Sequence, residues 1–199
     1  MRERNRPLSE THDARNMEII DLPLPGAKLI KPRVFRDSRG FFFESYSEPR
    51  YREAGIPETW VQDNHSLSGQ GTLRGLHYQS APGQAKLVRV TRGKVFDVLV
   101  DIRPDSPTFG KWHGVDVDAE SHWQVYVPVG FAHGFCVLSD VAEVQYKVST
   151  PYNGATESAV RWNDPEIGVA WPVAEPVLSE RDQTSESFAA LKTRLGWAK

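Results

Sequence analysis

Three stretches of the sequence that look like β-strands each contain side chains suited to moving a proton or stabilising a charge. Arg74 and His77 flank a glycine in the first stretch, Lys86 opens the second, and Tyr146 lies in the third. Histidine exchanges a proton near neutral pH, a tyrosine hydroxyl donates one, and a lysine or arginine stabilises an anion. Burial of such groups on a dry strand face must be compensated, and it often serves chemistry.

The first two stretches also have purely structural interpretations. Strict alternation puts Arg74 and His77 on opposite strand faces, whereas a bulge near Gly75 would turn both inward. Sequence statistics alone favour an exposed arginine and a hydrogen-bonded sheet histidine. Lys86 either snorkels toward water or lies poised in a pocket, and its place at the start of a strand favours snorkelling.

Tyr146 shares a strand face with Val144 and Val148, opposite Gln145 and Lys147. Period-two alternation predicts that its ring points inward, where the hydroxyl needs a hydrogen-bond partner. A packed core tyrosine is commoner than a catalytic one, so this residue alone does not establish an active site.

No metal or nucleotide cofactor is predicted. Pro128–His133 has the pattern Pro-x-Gly-x-x-His and resembles the second metal motif of cupins, which are small jelly-roll proteins. The first cupin half needs a His-x-His pair, and no histidine lies two residues from His77, while His113 and His122 better suit a strand surface or a turn. Gly69–Gly75 imitates a dinucleotide fingerprint, but its third glycine comes one residue late and no helix follows.

The elements that must position these side chains are short strands. Helical patterns are limited to Glu48–Ala54 and the tail Ser185–Trp197, whose apolar residues recur at spacings of three and four. β-Branched and aromatic runs about ten residues apart predict an antiparallel sandwich or barrel. The clearest predicted strands are Phe41–Tyr46, Lys86–Arg92, Val95–Ile102, Trp112–Val117, Trp123–Val127, Phe135–Leu138, Val141–Val148 and Ser158–Trp162.

Composition limits the class of protein. The chain has 199 residues, 39% hydrophobic and 25% charged, and its 24 Lys and Arg against 26 Asp and Glu give a net charge of −2. These values predict one soluble domain and argue against a nucleic-acid binder, which needs a basic face. The single cysteine, Cys136, cannot form an intrachain disulfide, which permits a cytoplasmic location. Met1–Glu10 has charge but no apolar run, so neither a signal peptide nor a membrane anchor is predicted.

Ten segments, in order and at compatible spacings from about Glu18 to Asp182, resemble the deoxythymidine-diphosphate (dTDP)-4-dehydrorhamnose 3,5-epimerase family. The resemblance implies an all-β, cupin-like jelly roll (a double-stranded β-helix barrel) with short helices at its edges and C-terminus. It also implies a homodimer without metal or cofactor that acts on a nucleotide sugar. We expect an extension at 1–16, an epimerase domain at 17–182 and a helical tail at 183–199. The matching segments are Phe35–Tyr46, Val61–Ser66, Leu73–Gln79, Lys86–Val90, Val95–Arg103, Ser106–Gly110, Val127–Phe135, Tyr146-Lys147, Trp162–Gly168 and Leu178–Asp182.

The resemblance also implies roles for individual residues. His77 matches the family's base, Asp182 its carboxylate partner, Tyr146 its acid and Lys86 its sugar-binding lysine. Tyr152 matches the residue that stacks on thymine. Arg181 stands where the family often has lysine, so the positive charge is kept. The positions that match those holding the sugar or the diphosphate are Arg39, Glu44, Gln62, Asn64, Arg74, His133 and Glu157.

These residue types fit the chemistry that the resemblance implies. A ketone at C4 acidifies the hydrogens on C3 and C5, so inversion requires a base on one face of the ring and an acid on the other. Neutral His77, oriented by Asp182, suits proton removal, and Tyr146 suits proton return. Lys86 would stabilise the enolate oxygen. Asp164 is a rival partner for His77, but its Asn-Asp-Pro context favours a turn.

Three alternatives remain at the level of the sequence. A mono-epimerase would act at only one of the two carbons. A metal-dependent cupin oxygenase or isomerase would use Pro128–His133. A noncatalytic sugar-nucleotide binding module would need neither an opposed acid nor a base.

Overall fold

The computed structural model describes residues 17–195, which form short strands and three short helices. The proposed extension at 1–16 and the last four residues of the proposed tail, 196–199, lie outside the described residues. The helices are α1 (Glu48–Glu53), α2 (Glu180–Gln183) and α3 (Phe188–Arg194). The strands are β1 (Met17–Asp21), β2 (Lys28–Pro32), β3 (Phe35–Asp37), β4 (Gly40–Phe42), β5 (Gln62–Gly69), β6 (Leu73–Gln79), β7 (Lys86–Arg92), β8 (Lys94–Asp101), β9 (Trp112–Asp118), β10 (Gln124–Val127), β11 (Phe131–Val137), β12 (Val141–Val148) and β13 (Glu157–Ala159).

Most of the strands form two facing antiparallel sheets. The six-stranded sheet has the order β1-β2-β10-β7-β12-β5, and the five-stranded sheet has the order β13-β6-β11-β8-β9. Strands distant in sequence are neighbours in both sheets, as a jelly roll requires. The predicted all-β, cupin-like jelly roll is therefore confirmed. Strands β3 and β4 pair only with each other and form a separate hairpin.

The main apolar core lies between the two sheets. Leu29, Val88 and Val144 contribute to it from the six-stranded sheet, and Val95 and Leu99 contribute from the five-stranded sheet. Each sheet is also covered on its outer side by one helix. Tyr51 of α1 packs in a second cluster with residues of the six-stranded sheet, and Phe188 and Leu191 of α3 pack against Leu76, Val98 and Val100 of the five-stranded sheet.

Two strand predictions hold in full, while the fully buried β11 begins at Phe131 rather than at the predicted Phe135. Predicted Lys86–Arg92 and Val141–Val148 coincide with β7 and β12. The prediction Phe41–Tyr46 is wrong beyond Phe42, because β4 belongs to an exposed hairpin that no further strand extends. Strand β5 was not predicted, because it lies at the edge of its sheet and is almost entirely polar, with Leu67 as its only large apolar residue.

The helical predictions are nearly correct in place but too long. Glu48–Ala54 corresponds to α1, and the tail helix begins at Phe188 rather than at Ser185. Ser187 accounts for the later start, because its side chain accepts a hydrogen bond from the Ala190 amide and caps α3. No helix within residues 17–195 has the length and apolar character needed to cross a bilayer.

Candidate active site

A bulge in β6 turns two of the candidate residues toward the space between the sheets. The pairing of β6 with β11 shifts register between the His77 and Arg74 positions. Gly75 has φ +136°, and a Cβ there would lie 2.5 Å from the Cα of Gly134, so only glycine fits. Arg74 Nε donates to Ser68 Oγ of the opposite sheet at 3.0 Å, while its side chain stays largely exposed. The bulge that the sequence left open as an alternative is therefore present, although Arg74 is exposed and His77 is hydrogen-bonded, as the favoured structural interpretation expects.

His77 contacts Asp182 directly, with His77 Nε2 2.6 Å from Asp182 Oδ1. The histidine side chain is 25% exposed and the aspartate is 3% exposed. Burial alone would raise the pKa of Asp182, but hydrogen bonds from His77, Ser179 and the Gly75 amide outweigh it and hold the pKa below its usual value. Asp182 is therefore an ionised hydrogen-bond acceptor.

The rival carboxylate, Asp164, is engaged elsewhere. One of its oxygens accepts from the backbone amide of Phe188 at 2.8 Å, and the other accepts from the amide of Glu166 at 3.0 Å. Asp164 thus fixes a turn and the start of α3, as its Asn-Asp-Pro context predicts, and Asp182 is the aspartate that contacts His77.

Lys86 is buried, and the snorkelling interpretation is wrong. The side chain lies at the start of β7, but Lys86 pairs with the fully buried Val127 and Val148, so this strand end is inside the barrel. Its ammonium group is 3.4 Å from the backbone oxygen of His77. Burial lowers the pKa of Lys86 to about 8, although the charges of Glu157 and Asp97 oppose the shift.

Tyr146 points inward, as alternation predicts, and packs against the main core from the six-stranded sheet. Burial raises the pKa of its hydroxyl, Glu157 raises it further, and Arg74 opposes the change. The expected protein partner for this hydroxyl is not found among residues 17–195, which leaves the group available to a bound molecule. Tyr146 and His77 therefore project from opposite sheets into one interior.

Further candidate residues surround this interior at the end formed by β5, β13 and α2. Glu157 pairs with Arg181 at 2.8 Å, and the Glu157 charge acts on both Lys86 and Tyr146. Asn64 lies opposite Tyr146 in the strand register and accepts a hydrogen bond from Gln62 at 2.8 Å. These residues form a polar rim around the buried groups.

Tyr152 extends this rim into solvent. The residue is 61% exposed, while its backbone amide donates to Gln62 at 3.0 Å. The chain therefore holds the backbone of Tyr152 in place while most of the residue is exposed to solvent.

Two candidate residues lie apart from this group. Arg39, whose side chain is 88% exposed, pairs with Asp37 in the β3–β4 hairpin, and Glu44 pairs with Arg50 of α1. Neither contacts His77, Lys86 or Tyr146 within the described part of the chain.

Sequence reasoning missed Asp97, which forms a second histidine–carboxylate pair. Asp97 is fully buried in β8, and one of its oxygens lies 2.9 Å from His133 Nε2. The other oxygen has no hydrogen-bond partner among residues 17–195. Burial lowers the pKa of His133, and the Asp97 charge only partly opposes this. The available signal was alternation, since Asp97 shares a strand face with Val95 and Leu99.

Cavity volume does not mark this site, since a cavity of about 700 Å³ against the described residues is lined by Arg36, Phe41 and His122 and by none of His77, Lys86, Tyr146 and Asp182. A cavity of about 350 Å³ lies against the six-stranded sheet and is lined by Arg89, Gln145 and Lys147. Its lining includes Asn64 and Tyr146 but not His77, Lys86 or Asp182. The buried ionisable groups therefore identify the site better than cavity size does.

The arrangement suits proton transfer on both sides of a bound ring. A histidine oriented by an ionised carboxylate projects from one sheet, a protonated tyrosine projects from the other, and a buried lysine lies beside the histidine. Within residues 17–195, no three His, Cys, Asp or Glu side chains converge in a way that would hold a metal ion.

The chain is similar to known proteins over most of its length. A sequence model of the family described as dTDP-4-dehydrorhamnose 3,5-epimerase matches residues 21–190. The dTDP-4-dehydrorhamnose 3,5-epimerase of Pseudomonas aeruginosa is 51% identical over 175 residues, which cover 87% of this chain and 97% of that protein. The protein of the same name from Neisseria gonorrhoeae is 52% identical over 174 residues, covering 87% of this chain, but the chain spans only 53% of its length.

A solved structure extends the similarity to three dimensions. The crystal structure of dTDP-6-deoxy-D-glucose-3,5-epimerase from Legionella pneumophila, in complex with dTDP-4-keto-L-rhamnose, matches with a TM-score of 0.87 and 45% identity. The match covers 90% of this chain and 96% of that one.

Proposed function

The chain belongs to the dTDP-4-dehydrorhamnose 3,5-epimerase family, and we propose that it inverts C3 and C5 of a dTDP-linked 4-keto-6-deoxyglucose to give dTDP-4-keto-L-rhamnose. One observation carries the proposal. His77, paired with Asp182, projects from the five-stranded sheet, and Tyr146 projects from the six-stranded sheet toward the same interior. A base and an acid on opposed walls are what inversion at a carbon next to a ketone requires.

His77 acts as the base through Nδ1. The ionised carboxylate of Asp182 can only accept hydrogen bonds, so Nε2 of His77 must carry the proton that joins them. In the neutral ring this leaves Nδ1 unprotonated and able to remove a proton from C3 or C5. Asp182 then stabilises the imidazolium that forms.

Tyr146 returns a proton to the opposite face of the ring. Its raised pKa keeps the hydroxyl protonated at neutral pH, and the enolate carbon is basic enough to accept that proton. The resulting tyrosinate lies within reach of the Arg74 charge, which favours the anion. Proton removal and proton return therefore come from different sheets.

Lys86 stabilises the enolate oxygen that forms at C4. With a pKa of about 8, most of its ammonium groups are charged at neutral pH. In a desolvated interior, one such charge near the developing oxyanion has a large effect on the barrier. The charge is held in place before the reaction, because the side chain is buried beside His77.

The remaining candidate residues hold the nucleotide sugar. Arg181 attracts the diphosphate, and the exposed ring of Tyr152 stacks on thymine. Arg39 and Glu44 lie apart from this group in one protomer, so the homodimer that we propose would offer a second copy of the β3–β4 hairpin. The residues assigned to the sugar and the diphosphate are Arg39, Glu44, Gln62, Asn64, Arg74, Lys86, His133, Glu157 and Arg181.

The test follows the ring hydrogens of dTDP-4-keto-6-deoxyglucose by NMR in heavy water. Deuterium should enter at both C3 and C5 in the presence of the protein, and the L-rhamno product should accumulate. Exchange at one carbon only would replace the proposal with a mono-epimerase, and no exchange at either carbon would contradict both. Stoichiometric bound metal, together with loss of activity to a chelator, would favour a metal-dependent cupin enzyme.

A cytoplasmic location stays a prediction.

A further inference from the structure

Ser179 contacts Asp182 twice. Its side-chain oxygen accepts a hydrogen bond from the Asp182 backbone amide at 3.1 Å and donates one to Asp182 Oδ2 at 2.9 Å. Asp182 Oδ1 is the oxygen that accepts from His77. The two oxygens of this carboxylate therefore have different partners, and Ser179 determines where the second one lies.

This geometry restricts rotation of the carboxylate. A carboxylate with one partner can turn about its last bond and exchange its two oxygens, whereas a hydroxyl fixed by a backbone amide allows only one orientation. Ser179 is itself fixed, because it is the residue that caps α2 and its oxygen is held by the first turn of that helix. The Gly75 amide adds a third hydrogen bond to the carboxylate.

We propose that Ser179 is a positioning residue that acts on His77 through Asp182. By holding Oδ2, the Ser179 hydroxyl keeps Oδ1 against Nε2 of His77, which maintains the ring tautomer that leaves Nδ1 free. The catalytic consequence of this inference rests on the proposed function, whereas the effect on the His77–Asp182 hydrogen bond does not.

The C-terminal segment contains a matched control for a purely structural role. Ser187 caps α3 in the same way, and its side chain accepts from the Ala190 amide at 3.2 Å. The residue three positions after Ser187 is alanine rather than aspartate, so this cap does not touch an ionisable side chain. A substitution at Ser187 therefore removes a helix cap and nothing that concerns His77.

The first measurement compares Ser179→Ala, Ser179→Thr and Ser187→Ala in the exchange assay with dTDP-4-keto-6-deoxyglucose. Ser179→Ala should lower kcat about tenfold, which corresponds to one net hydrogen bond, and should change KM less than about twofold. Ser179→Thr keeps the hydroxyl and should recover kcat to within about threefold of the wild type. Ser187→Ala should keep the wild-type kcat, although it loses a cap of the same kind. Equal losses of kcat in the two alanine variants would overturn the proposal.

The second measurement does not depend on activity. The Nε2 proton of His77, assigned by its disappearance in His77→Asn, should give a downfield NMR signal that exchanges slowly with water. Ser179→Ala should broaden this signal, whereas Ser187→Ala should leave it unchanged. An unchanged signal in Ser179→Ala would overturn the positioning role even if the wild type is an active epimerase. An inactive wild type whose signal depends on Ser179 would contradict the proposed function and support the positioning role.

Discussion

The two histidine–aspartate pairs contain the same chemical groups on neighbouring strands, yet their surroundings differ. His77 and His133 lie directly opposite each other in the pairing of β6 with β11. The partner of His133, Asp97, comes from β8 of the same sheet, whereas the partner of His77, Asp182, comes from α2 in the C-terminal segment. The His77 side chain is 25% exposed and the His133 side chain is 7% exposed.

We infer from this difference that access and hydrogen-bond partners, rather than residue type, decide which pair can act as a base. Burial lowers the pKa of His133 and favours its neutral form, which suits hydrogen bonding to a sugar. His77 is reached more easily, and three donors hold its carboxylate partner. We therefore expect the two pairs to respond differently to the same substitution.

The largest expected effect is the contrast between His77→Asn and His133→Asn. Removing the base should lower kcat by about 10³-fold, within the range for general base catalysis, and should abolish deuterium exchange at C3 and C5. His133→Asn should act mainly on KM, because we propose that this ring binds the sugar without removing its proton. Steady-state kinetics on both variants measure the contrast. An equal loss of kcat in both would mean that the pairs share the role of base.

A sharper test separates proton removal from proton return. Tyr146→Phe deletes the proposed acid but leaves His77 and Asp182 in place, so His77 should still remove a proton and give it back on the same face. We expect inversion to slow by about 10²-fold while deuterium still enters the ring. NMR in heavy water gives both rates in one sample. Loss of exchange and inversion to the same extent would mean that Tyr146 also takes part in proton removal.

Local sequence patterns predicted some features of the fold around the candidate site and missed others. The inward face of Tyr146 follows from period-two alternation, which is a local property, whereas the bulge at Gly75 was only an alternative that sequence statistics did not favour. Asp97 was missed although it lies on an apolar strand face, and Lys86 was misread because a strand start can be buried. The burial of Asp97 and the burial of Lys86 depend on which strands become neighbours, and the whole jelly roll determines that arrangement.

The family resemblance supplied what local patterns do not contain. His77 and Asp182 are far apart in the sequence, and no spacing rule joins them. Their contact is created by α2, a helix of only four residues that sequence patterns did not reveal. Long-range contacts of this kind follow from the fold, which the ordered set of matching segments implied.

A smaller effect on kcat is expected from Asp97, the carboxylate of the His133–Asp97 pair, because its charge acts on Lys86. The Asp97 charge raises the pKa of Lys86 and so opposes the effect of burial. Asp97→Asn should therefore lower the pKa of Lys86 from its value of about 8. Because Lys86 acts while protonated, kcat should fall as pH rises through this pKa, and the variant should show the fall at lower pH. The pH profile of kcat measures the change. Lys86→Arg stays charged at alkaline pH, so this variant should lose the fall in kcat. If the fall persists in Lys86→Arg, it arises from the titration of another group.

The smallest effect on catalysis is expected at Asp164, the aspartate that does not contact His77. Its carboxylate holds the backbone amides of Phe188 and Glu166, and Phe188 anchors α3 on the five-stranded sheet. Asp164→Ala should lower the free energy of unfolding by about 1–3 kcal/mol, because the buried backbone amide of Phe188 loses its partner. Activity per folded molecule should stay near the wild-type value, since Asp182 is held by Ser179 and Gly75 rather than by α3. Denaturant unfolding and kcat on the same sample separate the two effects, and a tenfold loss of kcat in fully folded protein would show that α3 also positions Asp182.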